Sequence, residues 1–209
     1  DFLPPVPLPR RMFAGKRVWF HADFRIGDEV RRESTIQDDE LKQGRTGRMV
    51  FVTVKTDMLS PRGLALTEEQ KIVYREAADP KAPPPPPQAA PEKAVWEKIV
   101  KPDVVMLFRY SALTFNGHRI HYDLPYVTQV EGYPGLIVNG GLSTLLLFEL
   151  ARKHGTSPIK LFSSRNIKPL IVGSDLHICG APSADGKSAK LWVTNQEGAV
   201  ALSAEAEFA

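Results

Sequence analysis

A single cysteine, Cys179, stands in 209 residues. An internal disulfide is therefore excluded, and with it the stapled secreted scaffolds; a reducing compartment fits better. Charge of one sign is missing too. Lys and Arg number 27 against 24 Asp and Glu, a net +3, and the two signs are interspersed. Arg10-Arg11 and Arg31-Arg32 are the only Arg-Arg pairs, so no basic stripe exists to track a nucleic acid. A small positive excess still suits a phosphorylated ligand. No apolar run approaches the roughly 18 residues that would cross a bilayer, and no secretory leader is expected. The expected location is cytoplasmic, or the mitochondrial matrix in a eukaryote. The chain opens on Asp1 rather than Met, so preceding residues are an open expectation. Histidine is scarce as well. Two of only five fall in one nine-residue run, 115-FNGHRIHYD-123.

With 43% apolar and 24% charged residues, the composition is that of a globular protein with a sizeable core. Proline is the residue present in excess. The run 79-DPKAPPPPPQAAPE-92 cannot join a sheet or a helix and reads as a semi-rigid spacer; an SH3-type ligand is the alternative. It divides the chain into residues 1–78 and 93–209. Ahead of it, β-rich stretches at 17–24, 29–38, 48–57 and 64–76 are separated by turns bearing glycine. Behind it come 103-DVVMLFRYSAL-113 and an apolar segment, 142-LSTLLLFELARKH-154, followed by candidate strands at 158–164, 170–180, 189–194 and 199–208. Asp185-Gly186 and Glu197-Gly198 carry hairpin signals.

The segment Leu142–His154 is the clearest helix. Gly155 supplies its stop, and Arg152 and Lys153 sit where the helix dipole favours cations. Its leucines cover most of its circumference, which predicts burial nearly all round, as in a helix wrapped by a curved sheet. The two halves also echo each other: 24-FRIGDEV-30 parallels 170-LIVGSDL-176, 49-MVFVTV-54 parallels 190-KLWVTN-195, and 63-GLALTEEQKIVY-74 parallels 198-GAVALSAEAEFA-209. A duplicated β unit follows. The second copy carries a helix-bearing head, residues 96–169, whereas the first has only residues 1–23. Its helix is expected either from upstream residues or from a partner chain.

FNGHRIHYD admits three readings: metal site, catalytic dyad or crowded loop. His118 and His121 are three apart, which suits one helical face, but no Glu completes an H-E-x-x-H pattern. Asp123 would join them as a ligand only in a tight loop. Ahead of Leu124-Pro125 it suits a helix N-cap, and its carboxylate could instead orient His121. His118 reads as a loop residue. No metal is expected.

These residues carry a family resemblance. The run 103-DVVMLFRYSALTFNGHRIHYD-123 with 131-EGYPGLIVNGG-141 resembles the MaoC-like acyl-thioester hydratases and dehydratases, in the branch of hydroxyacyl-thioester dehydratase type 2 and the mesaconyl-C4-CoA or itaconyl-CoA hydratases. The stretches 3-LPPVPLPRRMFAG-15, 44-GRTGRMVFVTV-54 and 72-IVYRE-76 extend the likeness over essentially the whole chain. The resemblance implies an α+β double hot-dog fold, antiparallel sheets each wrapping a long helix. Residues 1–78 would be the β part of a degenerate N-terminal unit, 79–92 the Pro-rich linker and 93–209 the catalytic unit.

It also implies an activity, reversible hydration of enoyl or dehydration of 3-hydroxyacyl thioesters. His121 takes the family's His position, and Asn116 stands where the wider family has Asp. An amide cannot act as a base near neutral pH but can hold a water, so His121 would move the proton. The glycines of 139-NGG-141 precede the long helix, and the N–H of Gly140 is the expected donor to the thioester oxyanion. The family reads His-Gly-Pro-Leu where this chain has Asn139-Gly140-Gly141-Leu142, which puts efficiency and substrate choice in question. Gly141, Arg109, Tyr110 and Tyr133 are candidate substrate contacts, with Arg109 or Arg119 available to a dicarboxylic acyl group. Lys42, Arg45 and Arg48 either meet CoA phosphates or are solvated bases. No cofactor is expected beyond the CoA or acyl-carrier thioester of the substrate. The expected partner is a second copy or another hot-dog unit, with no nucleic acid and no membrane. The alternatives are a non-catalytic acyl-CoA-binding hot-dog protein or subunit, motivated by the altered Asn139-Gly140-Gly141 run, and a hot-dog thioesterase.

Overall fold

The computed structural model describes residues 2–44, 47–76 and 86–209. Most of the proline run, residues 79–85 of the expected 79–92 linker, and Arg45 lie outside them. The backbone separates into two compact units, Asp1–Pro86 with Lys160–Arg165, and Pro87–Ile159 with Asn166–Ala209.

The first unit is antiparallel sheet. Its strands are β1 (Arg10–Phe20), β2 (Arg31–Gly44), β3 (Gly47–Ser60), β4 (Gly63–Arg75) and the middle of β6 (Ile159–Asn166), in the order β2-β3-β4-β1-β6. Val50 opposes Tyr74 and Val52 opposes Ile72, which puts these apolar side chains on one face. Leu3, Val6 and Leu8 pack on that face against Val52, Val54 and Tyr74. Strand β1 starts at Arg10, well ahead of the stretch expected at 17–24, because Arg10 through Phe13 pair with β4. A register shift lies between Phe13 and Gly15. At Gly15 a Cβ would run into the Ser164 carbonyl, so only glycine fits. Among the described residues this unit contains no helix.

The second unit has a sheet in the order β9-β8-β7-β5, built from β5 (Trp96–Val100), β7 (Leu176–Pro182), β8 (Ser188–Thr194) and β9 (Val200–Phe208). The short edge strand β5 has no counterpart in the sequence reading; its WEKIV composition becomes a strand only through pairing with β7, Trp96 opposite Gly180. Strand β7 begins at Leu176 rather than at 170, since the chain turns at Gly173 with φ +90°. Gly27, its counterpart in the sequence echo, has the same φ. Gly186 and Gly198 take φ of +68° and +76° in the hairpin turns, the left-handed region those signals predict.

The long helix is α3 (Gly140–His154), packed on the sheet of this unit. Gly180 and Leu191 share the face that meets Leu150 of α3. The opposite face buries Cys179, Ala181 and Trp192 under Ala94 and Ile167. With both faces covered, β8 reads as a nearly continuous buried run. The expectation of all-round burial for α3 needs correction. Leu142, Leu147, Leu150 and Ala151 are buried, but Leu145 is 47% exposed. Gly155 ends the helix without a left-handed turn, at φ −65°. Its missing Cβ leaves room for the ring of Phe208, so close packing selects the glycine.

Candidate active site

Three segments of the second unit converge here. Helix α1 (Val104–Leu113) is opened by Asp103, whose carboxylate accepts the Met106 N–H at 2.7 Å, and closed at Thr114. Phe115 follows at φ +52°, a left-handed conformation that costs a β-carbon residue strain. This reversal lets the Asn116 N–H reach the Ser111 carbonyl at 2.9 Å. The Asn116 side-chain oxygen accepts the His118 N–H at 3.1 Å, fixing the amide while leaving a second lone pair. One 3-10 turn, Arg119–His121, then leads to α2 (Leu124–Gln129).

Asp123 caps α2, accepting the Tyr126 N–H at 3.0 Å, with Pro125 in the first turn. Its other oxygen takes the Arg119 guanidinium at 2.8 Å and 2.9 Å. Both partners hold its pKa below the usual carboxylate range. Asp123 is a cap, as its spacing predicts, and His121 takes its orientation from elsewhere.

That orientation comes from Ile137. Residues 136–138 pair with 170–172 through Val138 N–H to the Leu170 carbonyl at 2.8 Å and Val172 N–H to the Leu136 carbonyl at 2.9 Å. The Ile137 N–H meets the Ile120 carbonyl, and the Ile137 carbonyl sits 2.8 Å from His121 Nδ1. A carbonyl only accepts, so Nδ1 carries the proton and Nε2 keeps its lone pair in the neutral ring. His121 is 7% exposed. Burial pushes its pKa below the ordinary imidazole value, opposed by the Ile137 hydrogen bond and helped by His118, whose ring lies edge-on at 5.7 Å. A buried, neutral imidazole with a defined tautomer can accept a proton at physiological pH.

Asn139 precedes α3 at 2% exposure. Among the described residues it gives the helix no side-chain cap; its amide instead donates to Ser111 Oγ at 3.3 Å. The first turn of α3 therefore presents uncapped N–H groups, a favourable place for developing negative charge. The departure from His-Gly-Pro has a packing cause at Gly141, where the Tyr110 hydroxyl occupies the space of a Cβ. At Gly140 a Cβ would lie 2.8 Å from the Asn166 side-chain oxygen. Tyr110 is half-buried, which raises its phenol pKa.

A groove of about 300 Å³ opens along α1 and the loop after it, lined by Phe108, Ser111, Ala112, Phe115, Asn116, Gly117 and Tyr122. Asn116 faces it directly, whereas His121 is buried and does not line it. Arg109 is exposed on α1 and Tyr133 is half-buried after α2. Among the described residues no hydrogen bond or ion pair ties either one to His121 or Asn116. Arg119 is committed to Asp123 and lies over the Tyr126 ring at 4.1 Å. In the first unit, Lys42 pairs with Glu40 and Arg48 with Glu76. Sequence reasoning missed Ser111 and the Ile137 carbonyl. No local pattern marks either, since each acts across a long stretch of chain. No helix among the described residues is long and apolar enough to cross a membrane.

A central helix laid on an antiparallel sheet defines the hot-dog class. Comparison with known proteins narrows this further. The family described as hydroxyacyl-thioester dehydratase type 2 matches residues 1–172. A mesaconyl-C(4)-CoA hydratase of Chloroflexus aurantiacus is 46% identical over 207 residues, 99% of this chain and 73% of that protein. The mitochondrial hydroxyacyl-thioester dehydratase type 2 of Schizosaccharomyces pombe is 25% identical over 204 residues, covering 83% of this chain and 67% of its own. Among solved structures, a MaoC-like dehydratase from Phytophthora capsici superposes with a TM-score of 0.75 at 14% identity, over 100% of this chain and 76% of that one; this likeness speaks for the fold. The chain belongs to the hydroxyacyl-thioester dehydratase type 2 family and is a hydro-lyase.

Proposed function

We propose that this chain adds water reversibly to α,β-enoyl CoA thioesters of the mesaconyl-C4 kind, with His121 as the acid and base. The observation that carries the reading is the His121 Nδ1 contact with the Ile137 carbonyl at 2.8 Å, which leaves Nε2 as the proton acceptor. Asn116, lining the groove and anchored by His118 N–H, holds the water through its carbonyl oxygen. In hydration the water oxygen bonds to the β-carbon while one of its protons passes to Nε2. The enolate charge that develops on the thioester oxygen meets the Gly140 N–H at the start of α3. The imidazolium then returns its proton to the α-carbon, and the sum is water added across the double bond. The acyl group finds its support in the 46% identity with the Chloroflexus hydratase.

The test is direct. Mesaconyl-C4-CoA and crotonyl-CoA are offered in turn, and loss of the conjugated-thioester absorbance is followed alongside release of free thiol. Absorbance loss without thiol is expected from the native protein, and His121→Ala should lower it by about 10²-fold or more with an unchanged circular dichroism spectrum. Undiminished turnover in that variant would overturn the assignment. Thiol release would mark a thioesterase, and binding without either signal a non-catalytic acyl-CoA protein.

A further inference from the structure

We infer that Ser111 is a further substrate-contacting residue, its hydroxyl donating to the reacting oxygen in the groove, and that Asn139 is the positioning residue that turns it there. The inference rests on the hydratase reading for the identity of that oxygen. Ser111 lines the groove beside Asn116 yet is only 5% exposed, so its side chain sits in the groove floor. Its oxygen already accepts the Asn139 amide at 3.3 Å. A hydroxyl has one proton to give, and among the described residues that of Ser111 meets no acceptor. Three threonines of the same unit behave differently. Thr114, Thr128 and Thr144 each return the hydroxyl proton to the carbonyl four residues back, that of Tyr110, Leu124 and Gly140, at 2.7 Å, 2.8 Å and 2.9 Å. Ser111 has the Leu107 carbonyl at the equivalent place and makes no such bond.

On the hydratase reading, the water of the reaction has a use for that proton. Its two hydrogens go to His121 Nε2 and Asn116 Oδ1, and one lone pair attacks the β-carbon. The second lone pair then needs a donor, and Ser111 supplies it. In the reverse direction that bond supports the departing hydroxyl. Asn139 is suited to the supporting role because it is 2% exposed, cannot reach the groove itself, and donates to Ser111 instead of capping α3. The residue that departs from the family pattern thus acts on the groove through Ser111.

The experiment measures hydration of crotonyl-CoA by the full chain carrying Ser111→Ala, Asn139→Ala or both, with binding of 3-hydroxybutyryl-CoA and butyryl-CoA by calorimetry. Ser111→Ala is expected to lower kcat about tenfold or more, leave KM within about twofold, and leave butyryl-CoA binding unchanged. Asn139→Ala should lower kcat in the native background and add less than about twofold to Ser111→Ala, because the two act as one unit. Asn139→Ser replaces it if the alanine variant fails to fold. A kcat within about twofold of native in Ser111→Ala overturns the Ser111 role. An equal Asn139 loss in both backgrounds overturns the positioning role, and a parallel loss of butyryl-CoA binding assigns both residues to packing. If the native protein hydrates no enoyl thioester, the hydratase reading falls. The calorimetry then decides Ser111 separately: a preference of about tenfold for the hydroxylated thioester, lost in Ser111→Ala, supports the contact, and equal preference in both proteins rejects it.

Discussion

Placing a methyl group on Gly141 should destabilise the protein, and removing one oxygen from Tyr110 should reverse that effect. Gly141 lies in the first turn of α3, where alanine is normally the better residue by up to about 1 kcal/mol. Here a Cβ would collide with the Tyr110 hydroxyl, while the ring carbons behind it, Cζ at 3.4 Å and Cε1 at 3.6 Å, lie at ordinary contact distance. The whole conflict therefore resides in one oxygen. Overpacking of this kind costs about 1–3 kcal/mol, so Gly141→Ala should lower stability by about 1–2 kcal/mol net. In a chain of this size that is a fall in Tm of about 2–8 °C. In a Tyr110→Phe background the same substitution meets only ring carbon and should be neutral or stabilising. Urea unfolding of the four proteins gives the coupling directly, expected at about 1–3 kcal/mol. An equal cost of Gly141→Ala in both backgrounds would refute the reasoning and remove the packing explanation for glycine where the wider family has proline.

His121 carries the pH dependence. Its pKa is held below the ordinary imidazole value, so the acid limb of kcat/KM should lie below about pH 6.5, and His118→Gln should move it upward by removing a like-charged neighbour. The unfolded chain takes up that proton first, so stability is complete above about pH 6.5 and falls as the pH is lowered through the folded-state pKa; His121→Gln should flatten that fall in urea titrations. Asn116→Ala should cut hydration by about 10²-fold or more, whereas Asn116→Asp should retain turnover and add a second titrating group to the pH profile. The Cys179 thiol, buried on the sheet face beneath Ala94 and Ile167 and pushed up to about 11 by burial and then by the Glu97 charge, should resist iodoacetamide at pH 8 until the protein unfolds. Rapid alkylation of the native protein would contradict its placement.

Much of this site is local chemistry that the linear chain carries by itself. Asp123 ahead of Leu124-Pro125 is a helix cap because its carboxylate reaches an N–H three residues on, whatever the rest of the protein does. Gly186 and Gly198 need only their own backbone angles to make the hairpin turns. The apolar segment after Asn139-Gly140-Gly141 is a helix on local grounds, and the order of strands after it follows from alternation and turns. The tautomer of His121 is another matter, being decided by a carbonyl 16 residues away. The Ser111–Asn139 bond spans 28 residues. Strand β5 exists through its pairing with β7, and Gly155 and Gly141 are glycines because Phe208 and Tyr110 arrive beside them. Spacing along a chain specifies only what bonds over a few residues can reach. The direction in which a buried proton points, and the space left for a methyl group, depend on atoms that only the folded chain brings together.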